Sequence, residues 1–226
     1  MDYAIIVAGG KGLRMGSDLP KQFLPVGGVP VLMRTINRFH AYSQDLSIIV
    51  VLPKDQQDYW QKLCHDHQFT IPHKIADGGA SRFQSSSNGL ALVPDDEDGV
   101  VAFHDGVRPF VSVDVIARCF DMAHEDYSAV PVVPVTDTLR HVDDRNGSSF
   151  TVNRKLFRAV QTPQVFDISL AKQAFNQPER DSFTDDASVV ESLGVRVNTV
   201  EGNSGNIKLT TPFDLKVAEL LAEEEE

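Results

Sequence analysis

The residues best suited to chemistry gather first between Ala8 and Gln22, which read AGGKGLRMGSDLPKQ. Gly9, Gly10, Gly12 and Gly16 can bring backbone N–H groups close to a ligand and tolerate positive φ. Lys11, Arg14 and Lys21 add positive charge against a single acid, Asp18. Donors and cations in one loop suit a polyphosphate. Two common phosphate loops fail on specifics. A Walker A loop needs Ser or Thr after its Gly-Lys, and here Gly10-Lys11 is followed by Gly12. A dinucleotide fingerprint would place a third glycine where Met15 stands, and the next apolar run ends in Pro53-Lys54 without an acid for a ribose. A glycine-rich surface turn with incidental charge is the plain alternative.

Four further clusters carry polar side chains. Asp77-Gly78-Gly79-Ala80-Ser81-Arg82 precedes a helical pattern, and Gly78 and Gly79 could offer free N–H groups to an anion or a base edge. Arg82 and Ser85, three residues apart, share one helical face. His104-Asp105-Gly106-Val107-Arg108-Pro109 follows an apolar run. Asp105 could bind Mg²⁺ or a ribose hydroxyl, and Arg108 could clamp a phosphate; an Asp–Arg pair closing a turn is the simpler reading. Thr138 and Arg154 flank a polar turn at Asp143–Gly147, as ligand contacts or as an ordinary cross-strand pair. Thr162 lies in Gln161-Thr162-Pro163-Gln164, and Lys208 in a short apolar run near the end. Cys64, His65 and His67 do not form a metal set, because i and i+2 point apart on a helix.

The elements that must position these residues follow from hydrophobic patterning. Strands are expected at Tyr3–Val7, Ser47–Leu52, Lys74–Ala76, Val100–Phe103, Ala129–Val133, Arg196–Val200 and Asn206–Leu209. Helices are expected at Val31–Tyr42, Gln56–His67, Ser81–Leu92, Val113–Glu125 and Asp167–Phe175. Another starts at Thr184 as N-cap and ends at Gly194, and a last one, capped by Thr211-Pro212, runs to about Ala222. Near-continuous Val/Ile runs alternating with helices predict an α/β, doubly wound, mostly parallel sheet covered on both faces. Ligands then bind beyond the carboxyl ends of the strands, where the loops after Val7, Ala76, Phe103 and Val133 emerge. The alternation lapses between Pro134 and Pro163, where Asn146-Gly147 signals a hairpin. An isolated hairpin is marginal in water, so it is expected to pack on something, a second subunit being the economical choice.

Composition bounds the function. The 226 residues suit one domain, 1–226, with a β-arm excursion at about 134–160. A net charge of −11 argues against a nucleic-acid binder and makes the cationic loop more telling. Cys64 and Cys119 read as two unpaired thiols in a reducing compartment. With no long apolar run and no leader pattern before the first strand, the expectation is a cytoplasmic protein with no membrane partner.

Gly10-Lys11-Gly12-Leu13-Arg14-Met15 followed by Pro20-Lys21-Gln22 resembles the signature of sugar-nucleotide and related nucleotidylyltransferases. With Gly78-Gly79, Arg82 and Ser85, His104-Asp105 with Arg108-Pro109, Asp137-Thr138, Arg154 before Gln161–Gln164, Thr184-Asp185 and Asn206-Ile207-Lys208, the chain resembles the 2-C-methyl-D-erythritol 4-phosphate cytidylyltransferases of the non-mevalonate isoprenoid pathway, essentially end to end. The resemblance implies a Rossmann-like nucleotidylyltransferase fold with an extended β-arm for dimerisation, a homodimer, CTP and a sugar-alcohol phosphate as substrates, and Mg²⁺ or another divalent cation, held mainly by the CTP phosphates. By position it implies Arg14 and Lys21 as transition-state stabilisers. Arg154 and Lys208 would position the sugar phosphate, in a site lined by Asp105, Arg108, Thr138 and Thr162. Ala8, Gly9, Gly10, Gly78, Gly79, Arg82, Ser85 and Gly106 would surround the nucleotide, with Asp105 also a possible metal ligand. Gly9 and Gly106 stand where that family often has Ala. The sister ribitol-5-phosphate cytidylyltransferases share most of these motifs, and a non-catalytic CTP-binding protein on the same fold is the alternative of another class.

Overall fold

The computed structural model describes residues 1–9 and 19–224. Strand β1 (Tyr3–Val7) leads, after the undescribed residues, to a 3-10 turn at Lys21–Phe23 and a small antiparallel pair, β2 (Pro25–Val26) with β3 (Val29–Pro30). Then follow α1 (Val31–Tyr42), β4 (Ser47–Leu52), α2 (Lys54–Asp66), β5 (Lys74–Asp77), α3 (Arg82–Leu90), β6 (Val100–Asp105), α4 (Val113–Asp126) and β7 (Ser128–Pro134). A hairpin of β8 (Arg140–Asp143) and β9 (Ser148–Thr151) precedes β10 (Arg158–Val160), β11 (Gln164–Asp167), α5 (Ile168–Phe175), α6 (Asp186–Glu191), β12 (Thr199–Glu201) and α7 (Pro212–Glu223).

The main sheet has the order β10-β7-β11-β6-β1-β4-β5, and β12 also pairs with β7. Pairs β1/β4, β1/β6, β4/β5 and β12/β7 are parallel, while β10 and β11 run against β6 and β7. The expected α/β, mostly parallel fold is therefore present. Its cause is visible in the alternation of side chains. Ala4, Ile6, Ile48, Val50, Val100 and Ala102 join a core with Ile36 and Phe39 of α1, Trp60 of α2 and Phe120 of α4. Their neighbours Tyr3, Ile5, Ile49, Val51, Val101 and Phe103 join a second core with Leu90 of α3, Ala171 of α5 and Val190 of α6. Strands buried on both faces need apolar residues at both parities, hence the unbroken runs. A third cluster packs Ala218 and Ala222 of α7 on Val26, Val107 and Leu209.

Helices α1 and α7 begin where patterning placed them, the latter with Thr211 as N-cap in a capping box with Asp214. Helix α6 begins one residue later than expected. Asp185, not Thr184, is its N-cap, because Ser188 at the third helical position completes a reciprocal box with Asp185. Residues 206–209 are not a strand: Leu209 N–H donates to Val107 O, but no ladder develops, and Ile207 N–H turns back to Gly205 O. The hairpin closes where Asn146-Gly147 signals it: Asn146 and Gly147 N–H both donate to Asp143 O, with Gly147 at φ +69°. Cys64 and Cys119 are free thiols. No helix among the described residues is long and apolar enough to cross a membrane.

Candidate active site

Strand register brings the clusters to one edge. Val7 pairs across the sheet with both Asp105 and Val51, and Leu52 with Asp77. The three loops leave from that edge in step: Gly106 N–H donates to Val7 O, Ala8 N–H to Val51 O and Gly78 N–H to Leu52 O. A cleft of about 510 Å³ opens above them, lined among others by Ala8, Gly9, Lys21, Gly79, Arg82, Ser85, Asp105 and Lys208. Of the residues singled out from sequence, the cleft thus brings together members of four separate stretches.

Alternation along β6 sends its last two side chains to opposite faces. His104 turns towards α1, its ring 4.9 Å from that of Phe39. Asp105 turns towards α3 and the cleft. Its Oδ2 lies 3.0 Å from Arg108 Nε and 3.0 Å from Lys208 Nζ, and its Oδ1 lies 3.6 Å from Arg82 Nε. Burial alone would push this carboxyl upwards, but Arg82, Lys208 and Arg108 together hold it well below the ordinary carboxylate range. Asp105 is therefore an anion at every physiological pH, ordering three cations. Lys21 Nζ donates to Leu209 O, 3.1 Å away, so its ammonium lies next to the Lys208 segment.

Under the cleft runs a buried polar chain that sequence reasoning assigned only in part. Asp105 N–H donates to Thr162 Oγ1 at 3.1 Å, and Thr162 Oγ1 lies 2.9 Å from His104 Nδ1. His104 Nε2 lies 3.1 Å from Arg108 O, a carbonyl that can only accept, so the proton sits on Nε2 and Nδ1 accepts from the threonine hydroxyl. Burial pushes this imidazole down to about 4, keeping it neutral. Thr162 thus spends its hydroxyl on the scaffold. Asn206, fully buried, donates to Thr162 O while its own carbonyl accepts from Arg108. Gln161 donates to Asn203 O, and Gln164 ties Asp185 and Ala187 at the start of α6. Gln161–Gln164 is therefore the joint between β6, the Lys208 segment and α6. Its signal in the sequence was three polar residues beside a proline at the return to the sheet.

The Gly78-Gly79 loop is pinned from α3. Gly79 N–H donates to Ser85 Oγ, which donates to Ser81 O, and Ser81 caps α3 by accepting from Gln84 N–H. A methyl at Gly79 would come within 2.3 Å of Gln84 Cβ, so only glycine lets loop and helix approach this closely. Ser85 therefore shapes the loop. Arg82 is not a free cation: its guanidinium lies 2.6 Å from Asp186 Oδ2 as well as near Asp105.

The model of the IspD family, described as 2-C-methyl-D-erythritol 4-phosphate cytidylyltransferase, matches residues 3–224. Curated relatives of that name include one from Bacteroides fragilis, 59% identical over 96% of this chain and 98% of its own length, and one from Bacteroides thetaiotaomicron, 58% identical over 96% and 97%. Among solved structures, the 4-diphosphocytidyl-2C-methyl-D-erythritol synthase of Anaerococcus prevotii superposes with a TM-score of 0.83 at 28% identity, covering 98% of this chain and 96% of that one. The chain belongs to the IspD family. For an IspD chain the cationic edge is where anionic substrates are expected, and the family resemblance read from the spaced motifs is correct.

Not every residue implied by that resemblance is described at this edge. Gly10 and Arg14 lie outside the described residues. Thr138 and Arg154 sit in the arm, exposed and outside the cleft lining, with an Arg154 guanidinium N–H donating to Thr136 O. The same arm exposes Val142, Phe150, Leu156, Phe157 and Val160. The described residues also do not form a metal cage. No group of three or more His, Cys, Asp or Glu among them is placed to hold an ion, and the oxygens of Asp105 face three cations.

Proposed function

We propose that this protein transfers the cytidylyl group of CTP to 2-C-methyl-D-erythritol 4-phosphate, forming 4-diphosphocytidyl-2-C-methyl-D-erythritol and pyrophosphate for isoprenoid biosynthesis. The observation that carries the reading is the cluster of Arg82, Arg108 and Lys208 around one ionised carboxylate at the sheet edge of an IspD-family chain, with Lys21 held beside the Lys208 segment. In this reading a phosphate oxygen of the sugar attacks the α-phosphorus of CTP, the new P–O bond forms, and the bond to the β-phosphate breaks to release pyrophosphate. The nucleophile is an anion at pH 7, so the step needs alignment and charge neutralisation rather than a base. His104 could not serve as one, since both its nitrogens are engaged and it is fully buried.

Arg14 and Lys21 stabilise the transferring phosphoryl group. Lys208, Arg108 and Asp105 hold the sugar phosphate, with Thr162 acting through Asp105. Ala8, Gly9, Gly10, Gly78, Gly79, Ser85 and Gly106 enclose the nucleotide. The chain acts as one domain, 1–226, in a cytoplasmic homodimer, with the arm at about 134–160 delivering Thr138 and Arg154 to the partner's cleft. The apolar residues exposed on the arm support that arrangement. Mg²⁺, which supplies countercharge in such reactions, would arrive on the triphosphate, as this ion commonly does.

The decisive experiment is pyrophosphate release from CTP and Mg²⁺ with methylerythritol phosphate and, separately, ribitol 5-phosphate. Release with the first only is expected, falling about 10²–10³-fold in Lys21→Ala with the fold intact. Release with ribitol phosphate alone, or CTP binding without release, would replace this reading.

A further inference from the structure

Asp186 is fully buried at the first turn of α6, and none of the sequence motifs pointed to it. Its Oδ1 accepts from Ser86 Oγ at 2.8 Å, and its Oδ2 faces the Arg82 guanidinium at 2.6 Å. Ser86 and Arg82 are one helical turn apart on α3, so the carboxylate meets both from one side. Arg82 therefore stands between two anions: close to Asp186, and 3.6 Å from Asp105. The nearby Asp185 is committed elsewhere, capping α6 and accepting from Gln164.

We propose that Asp186 is a positioning residue for the cleft, drawing Arg82 off Asp105 so that Asp105 is left to orient Lys208 and Arg108 towards an incoming phosphate. Asp105 has two oxygens and three cations around it. Without Asp186, the half-buried Arg82 guanidinium, 28% exposed, has Asp105 as its remaining ion-pair partner. Arg82 faces Oδ1 while Lys208 and Arg108 share Oδ2, so closing that gap turns the carboxylate's charge towards Arg82 and loosens its hold on Lys208, the most exposed of the three. Loss of Asp186 thus acts on the sugar-phosphate side, although Asp186 touches no substrate.

The inference rests on the proposed reaction for its kinetic readout. Asp186→Asn keeps the shape and the acceptor for Ser86. The expected result is a rise of about tenfold in KM for methylerythritol phosphate, the worth of one charge-assisted contact, with KM for CTP unchanged. Removing the competitor as well, in Asp186→Asn with Arg82→Met, should bring that KM back towards wild type; this pair buries no orphan charge and serves also if the single variant fails to fold. Equal changes in both KM values, or a double variant worse than the single, would overturn the proposal and leave Asp186 as a packing residue. Calorimetric binding of inorganic phosphate repeats the comparison without turnover. A wild type inactive on the sugar phosphate but showing this phosphate pattern would sink the proposed reaction and keep the inference. A fully active wild type with an indistinguishable Asp186→Asn would do the reverse.

Discussion

Asp105→Asn separates a structural carboxylate from a merely local one. The substitution keeps shape and removes one charge. Arg82 retains Asp186, but Arg108, whose side chain is 13% exposed, loses its charged partner, and Lys208, at 41%, loses one that solvent already screens. Breaking a buried pair by removing one partner costs roughly 3–5 kcal/mol, while an exposed pair contributes about 0–1 kcal/mol. Arg108 still donates to Asn206 O, which places the expected loss at the lower end, about 3 kcal/mol. Urea denaturation at pH 7 measures it. The pH dependence is a second check. Because the folded carboxyl is held below its unfolded value, its contribution is complete above the unfolded value of about 3.9 and fades as pH falls from there towards the folded one. The gap between wild type and variant should therefore be flat from neutrality down to about pH 5 and shrink only below about pH 4. A loss under about 1 kcal/mol, or a gap that already closes near pH 6, would refute the idea that Asp105 organises the cations.

Other outcomes follow from the same geometry. The His104 imidazole should show no titration above pH 5 by nuclear magnetic resonance; since burial lowers it to about 4, its neutral-state contribution is whole above the unfolded value near 6.5 and drains away as pH falls from there towards 4. Gly79→Ala should raise KM for CTP several-fold because the methyl would collide with Gln84, whereas Gly9→Ala, with 3.6 Å to Ser85 Oγ, should leave it near wild type. Mixing Lys21→Ala and Arg154→Ala chains, each inactive alone, should recover about a quarter of wild-type activity if the two residues meet across a dimer, since half the dimers are mixed and each holds one intact site; no recovery would place them in one chain. Leu156→Asp, at an arm residue 79% exposed, should shift sedimentation from dimer to monomer and lower activity with it.

The fold was legible because period and length are local properties. Val31–Tyr42 and Ser47–Leu52 came out with the boundaries expected, since each carries its whole signal within its own residues. The edge of the site was legible too, because a parallel sheet aligns the ends of Val7 and Asp105 once both runs are recognised as strands. What could not be read is partnership across the chain. Arg82 looks like a nucleotide contact until Asp186, a hundred residues beyond Ser86, is seen to hold it. Thr162 looks like a ligand contact until Asp105 N–H and His104 are found on its hydroxyl. Asp186 itself was hidden by a sufficient local explanation: two acids at a helix start suit the helix dipole, so nothing urged a search for a second role. A buried charge must find its partner in three dimensions, and one-dimensional spacing records that need only when both partners share an element. The residues most apt to be missed in such a site are therefore those that act on the substrate through another side chain, and they are found by asking which cation in the cleft is already spoken for.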